Sequence, residues 1–251
     1  MPAFSLIASG QVKVPVIATA GWSIPKTVAH RFPETGSGLS RYAAVFNGVE
    51  INSTFYRHHR PTTFERWANS VPDDFRFAVK LPREITHERR LREIGQVFKA
   101  FVGELAALDG KLGPLLCQLP PNLTFDVSDA EAAFDTMRQT FPGMLVLEPR
   151  HTSWATQSAQ EILQRYAIDR VLADPAPVWP ASDFSEPPKY VRLHGAPRIY
   201  YSDYSAAEIL SFRKRLSAES WCVFDNTASG AAIKNALAML DDCATTKRCA
   251  D

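Results

Sequence analysis

Eight short apolar or β-branched runs, each closed by turn residues, recur along this chain at 14–20, 45–51, 75–79, 115–119, 144–147, 170–173, 190–193 and 221–224. Between most of them, apolar residues repeat with helical period at 63–70, 89–108, 129–140, 155–166, 206–216 and 231–240. The runs are near-continuously hydrophobic rather than strictly alternating, as in parallel strands covered on the outside by helices. Strand and helix alternating almost throughout 251 residues specify an α/β fold, a single (β/α)8 TIM barrel. The segment 174–188 is rich in Pro and Ser and has no helical period, so an irregular loop is expected to replace the helix after strand six. Residues 21–40 read as a second long loop. Ser128 with Glu131, and Thr62 with Glu65, have capping-box spacing ahead of the fourth-strand and second-strand helices. No repeat or linker divides the chain, so one domain over 1–251 is expected, its ordered core running from about 14 to 241.

A formal net charge of +1 provides no global field for a polyanionic partner. The apolar runs fall far short of the ~20 residues that cross a bilayer, and the segment through Ala20 lacks the charged start and long apolar core of a signal peptide. Cys117 and Cys222 lie inside strand-like runs, while Cys243 and Cys249 have no metal-ligand spacing. That usage points to a reducing cytoplasm and no membrane.

Parallel barrels gather their chemistry at the carboxyl ends of the strands. All six histidines of this chain, and most of its oddly placed charged residues, fall just after the strand-like runs. Glu50 and Glu148 close strands two and five, and Asp174 and Asp225 close six and eight. Two such carboxylates act as acid and base if their surroundings separate their pKa values. The plainer alternative is a set of buried ion pairs with Lys80, Arg150 or Arg192 that fixes the barrel. Lys80, Arg83, Arg150 and Arg192 together suit a phosphate or carboxylate ligand. Taken singly, Arg83 reads as solvated and the other three as neutralising the carboxylates.

His151 and His194 join Glu50 and Glu148 as acid and base candidates. With His87 and Asp225 they are also of the types that ligate a divalent metal, although none has local ligand spacing. His58 and His59, beside Arg57 and Arg60, read as a solvated turn. Tyr56 and Trp154, with Trp22, Trp179, Tyr200 and Tyr201, offer aromatic faces for stacking, or pack the loops. Asn226 and Thr227 open a turn, 227–230, whose backbone N–H groups either bind phosphate or cap the last helix. The chain has no Walker loop, dinucleotide fingerprint or nucleophile elbow, so no nucleotide cofactor is expected.

Several of these segments resemble the YecE-like family, known as domain of unknown function family 72. They include Val49-Glu50-Ile51-Asn52-Ser53-Thr54-Phe55-Tyr56, Thr63-Phe64-Glu65-Arg66-Trp67, and Lys80 with Pro82, Arg83 and Ile85-Thr86-His87. Further along come Gln118-Leu119-Pro120-Pro121, Glu148 with Arg150-His151 and Ser153-Trp154, Tyr190-Val191-Arg192-Leu193-His194-Gly195, and Asn226-Thr227. The resemblance covers nearly the whole chain and implies a TIM barrel, but no particular activity. It adds Asn52 and Gln118 to the ligand-binding candidates. The chain departs from the family pattern at Gly48, where Thr is common, at Pro149, where an aromatic is common, and at His58-His59.

Three functions are compatible with these residues. One is a hydrolase-like or isomerase-like enzyme that binds a small anionic ligand through Arg83, Arg150, Arg192 and the 227–230 turn. The second is a nucleic-acid-binding barrel, disfavoured by the near-neutral charge. The third is a metabolite-binding protein without catalysis.

Overall fold

β-Branched and aromatic residues in runs too short for helices take extended backbone. In the computed structural model, which describes residues 14–248, they form eight strands. These are β1 (Val16–Thr19), β2 (Gly48–Ile51), β3 (Arg76–Lys80), β4 (Leu112–Gln118), β5 (Leu145–Glu148), β6 (Ile168–Asp174), β7 (Tyr190–Leu193) and β8 (Trp221–Phe224). All neighbouring pairs are parallel, in the order β1-β8-β7-β6-β5-β4-β3-β2. The expected TIM barrel is therefore present. Residues 1–13 and Cys249 lie outside the described residues, as does the side chain of Cys243.

The barrel closes where β1 meets β2, and there side chains replace most of the ladder. The two strands share a bridge at Ala20 and Glu50, with Gly21 N donating to Glu50 O at 2.9 Å. Farther down, the buried Tyr42 hydroxyl accepts from Thr19 N at 3.0 Å and donates to Gly48 O at 3.1 Å. Asn47 works the same way, accepting from Ile17 N and donating to Pro15 O, both at 3.1 Å. Tyr42 belongs to α1 (Gly38–Ala43), whose presence corrects the reading of 21–40 as loop throughout. Ser37 caps this helix by accepting from Ser40 N.

The outer layer consists of α2 (Pro61–Asn69), α3 (Gly95–Leu105), α4 (Val127–Thr140), α5 (Gln157–Arg165), α6 (Ala206–Arg213) and α7 (Ala231–Arg248). After β6 a short 3-10 turn, Ala181–Asp183, takes the place of a helix, as expected. Both expected capping boxes are corrected. Asp126, not Ser128, caps α4 by accepting from Asp129 N, and α2 starts from Arg60 with Pro61 in its first turn and no side-chain cap. The helix expected at 89–108 is also shorter. Arg90, Leu91 and Glu93 have φ of 52°, 69° and 50°, incompatible with a right-handed helix, because the chain turns there to bury Leu91 and Ile94.

Alternate residues of each strand face the barrel axis. Its lower interior holds Ala18, Ala78, Leu116, Val146, Val171, Tyr190, Trp221 and Val223. Gly48 and Gly113 make room for the Trp221 indole: a Cβ on either would lie 3.2 Å and 2.8 Å from it. No helix among the described residues is long and apolar enough to cross a membrane.

Tyr42→Phe would leave the buried Thr19 N–H and Gly48 C=O without their bridging hydroxyl. Denaturant unfolding should show a loss of about 1–3 kcal/mol, and an unchanged midpoint would show that the seam does not depend on it.

Candidate active site

Two residues above the inner apolar layer, the side chains become polar. Gly48 is followed on the inner face by Glu50, Ala78 by Lys80, Leu116 by Gln118, Val146 by Glu148, Tyr190 by Arg192 and His194, and Val223 by Asp225. The period of two places all of them inside the barrel near its carboxyl end.

Arg192 stands at the centre with a side chain that is 0% exposed. Nε donates to Glu50 Oε2 at 3.0 Å, and Nη2 to Glu50 Oε1 at 2.7 Å and Asp225 Oδ2 at 2.9 Å. Nη1 donates to Glu148 Oε2 at 2.7 Å and Gln118 Oε1 at 3.2 Å. These contacts engage all five guanidinium donors. Tyr190 adds its hydroxyl to Glu50 Oε2 at 2.9 Å. Burial alone would raise the pKa of Glu148, but Arg192, His194 and Arg150 hold it well below the usual carboxylate range. Asp225 is likewise lowered against its burial by Arg192, His194 and Lys80.

His194 is buried between these carboxylates. Nδ1 lies 3.0 Å from Asp225 Oδ2, while Nε2 lies 2.9 Å from Glu148 Oε1 and 3.1 Å from Arg150 Nη2. A proton on Nε2 favours the contact with Glu148, and a bare lone pair favours that with Arg150. Arg150 also pairs with Glu148 Oε1 at 2.5 Å. Its Nε is buried and has no acceptor among the described residues, as Asn52 Oδ1 has no donor. The expected ion-pair alternative thus describes Arg192 closely, while Arg150 is only partly engaged.

Lys80 differs from both arginines. It is 7% exposed, and among the described residues its ammonium has no hydrogen-bonded or ion-paired oxygen; it lies over the Phe55 ring, 4.2 Å from the centroid. Burial first, then the charge of Arg192, lowers its pKa to about 8, against the opposite pull of Glu50, Asp225 and Glu148. His87, on the next loop, is lowered to about 4 by burial, Lys80 and Arg83.

The other expected residues sit apart from this cluster. Arg83 is exposed, 3.5 Å from Glu88, and Tyr56 is 77% exposed on the rim. Trp154 is buried and donates from Nε1 to Leu123 O at 3.0 Å, packing the outer layer. His151 Nδ1 accepts from Ser153 N and so caps a short turn. Asn226 donates to Ser202 O and Asn235 Oδ1, which ties the last two loops together. Beyond Thr227, Ala228 N donates to Tyr200 O, Gly230 N to Thr227 O and Ala232 N to Asn226 O, leaving few backbone amides for an anion. Among the described residues, no group of three or more His, Cys, Asp or Glu side chains is placed to hold a metal ion. Tyr190 and Phe55 were not expected here. Tyr190 was identifiable as the inner-face residue two before Arg192; no local pattern singles out Phe55.

A profile of a family of proteins of unknown function, DUF72, matches residues 16–250. The chain belongs to the DUF72 family. UPF0759 protein YecE of Escherichia coli is 31% identical to it over 172 residues, 66% of this chain and 61% of the relative. The match thus spans less than two thirds of that relative's length. A crystal structure of a DUF72 protein from Thermotoga maritima superposes with a TM-score of 0.77 at 25% identity, covering 92% of this chain and 99% of the other. One from Enterococcus faecalis gives 0.75 at 20% identity over 91% and 94%. Both share the fold of this DUF72 barrel.

Arg192→Met would leave Glu50, Glu148 and Asp225 buried without their central cation, at a cost of about 3–5 kcal/mol. Lys80→Met should cost nothing at pH 7 or stabilise, because the folded protein holds that proton less tightly than the unfolded chain does. By the same linkage, wild-type stability should gain a contribution as pH rises from about 8 to 10.5. For His87, also lowered, stability should fall as pH drops from 6.5 toward about 4. Denaturant midpoints of wild type, Lys80→Met and His87→Gln across pH check all three signs; a flat Lys80→Met difference would contradict the burial of that charge.

Proposed function

We propose that this DUF72 barrel is an enzyme that binds a small phosphate-bearing or otherwise anionic substrate at the mouth and acts on it by acid–base chemistry, as a hydrolase or isomerase does. The observation that carries this reading is Arg150 Nε, a buried N–H without an acceptor among the described residues. Leaving such a donor unsatisfied costs about 1–3 kcal/mol, which a ligand oxygen would recover. Lys80, at the end of β3, supplies a second cation that no carboxylate oxygen among the described residues pairs with.

The roles divide by how firmly each group is engaged. Glu50, bound at both oxygens by Arg192, and Glu148, held ionised, support the site electrostatically. Lys80, with a pKa of about 8, exchanges a proton near neutral pH, and His194 offers Nε2 beside Arg150. Asn52 and Gln118 are the polar groups left to orient the substrate. A reducing cytoplasmic setting fits the buried thiols Cys117 and Cys222.

Thermal shift and calorimetry with inorganic phosphate, dihydroxyacetone phosphate and pyruvate test the reading. At least one anion should raise the Tm, and Arg150→Lys, which keeps the charge but loses Nε, should weaken its binding about 10-fold or more. Absence of any stabilising anion, or equal binding by the variant, would overturn it.

A further inference from the structure

Lys80 has a position that an anion-binding role alone does not explain. Its inner-face location at the end of β3 brings the ammonium beside three carboxylates, yet these are taken by Arg192, Arg150 and His194. Its neighbour is instead the face of Phe55. That ring is held in a short turn, Ser53–Phe55, in which the buried Thr54 hydroxyl lies 3.0 Å from Ile51 O and 2.7 Å from Lys80 O. The loop after β2 is thereby fastened to the backbone of the lysine whose side chain it covers. A π-face attracts an ammonium without accepting a full ion pair, so among the described residues the amine is packed but has no oxygen partner.

We propose that Lys80 is a nucleophile that forms an imine with a carbonyl compound bound at the barrel mouth. The inference rests on the anionic-substrate reading for the placement of the carbonyl, with Arg150 taking the anionic group. In the step itself the neutral Nζ adds its lone pair to the carbonyl carbon, and the C=O π pair moves to oxygen. The nitrogen then loses its two hydrogens with that oxygen as water, leaving a C=N bond; addition of water reverses the sequence. No oxidant or reductant is required. A desolvated lysine beside another cation is activated for this chemistry. With its pKa near 8 the free-amine fraction at neutral pH is on the order of 100-fold that of an exposed lysine.

The protein is incubated with pyruvate, dihydroxyacetone phosphate or uncharged glycolaldehyde in the presence of cyanoborohydride, then read by intact mass and peptide mapping. The expected result is a single adduct at Lys80, at least ~10-fold above labelling of the exposed Lys26 and Lys99. It should be absent from Lys80→Arg and Lys80→Met proteins with wild-type circular dichroism, and labelling should rise through about pH 8. Labelling of Lys80 no faster than of the surface lysines, with every probe, would overturn the proposal. Stabilisation by pyruvate or phosphate without an adduct would overturn imine formation and leave the anionic-substrate reading standing. An adduct with glycolaldehyde while no anion binds would support the nucleophile and sink that reading.

Discussion

One guanidinium organises the mouth of this barrel. Arg192, from β7, binds carboxylates carried by β2, β5 and the end of β8, three strands that do not neighbour one another around the ring. Removing charges from water is costly, and the attraction between them compensates only when every donor and acceptor is matched. Here the match is made by all five donors of Arg192, by the Tyr190 hydroxyl and by His194. The arrangement carries specificity as much as stability, since a lysine could not present the same fork.

What the site can do follows from what this hub leaves over. Glu50, Glu148 and Asp225 face Arg192, Arg150 and Lys80, an even balance of formal charge before His194 is counted. Arg192 takes the most contacts, so among the described residues Arg150 retains an N–H without an acceptor and Lys80 an ammonium without an oxygen partner. Among the described residues, these are the two cations of the cluster that the network does not saturate. The apolar layer beneath, with Trp221 fitted over Gly48 and Gly113, closes the bottom of the site and keeps its dielectric low. The same indole accounts for Gly48, since a Cβ there would lie 3.2 Å from it.

The eight strands and most of the helices were legible because their signals are local. Apolar runs mark strands, and the 190–193 and 221–224 runs match β7 and β8 at both ends. The errors arose where another contact, near or distant in sequence, overruled the pattern. Ser128 has capping-box spacing, but Asp126 reaches Asp129 N first, and Ser128 donates to Asp126 instead. The helical period at 89–108 is real, yet burying Leu91 and Ile94 required three residues at positive φ before α3 could start.

By itself the sequence determined the fold class and the end of the barrel at which polar chemistry gathers. Both depend on short-range periodicity: strands of period two put Glu50, Lys80, Gln118, Glu148, Arg192 and Asp225 on one inner surface whatever their partners. Only the tertiary structure decided which of those charges satisfy one another. Partner choice among three carboxylates and three cations turns on distances of a few ångströms across the barrel, and Coulomb and hydrogen-bond energies change steeply over that range. Arg192 and Lys80 are equally visible as cations in the sequence, and the fold commits the first to three carboxylates and packs the second over the Phe55 ring.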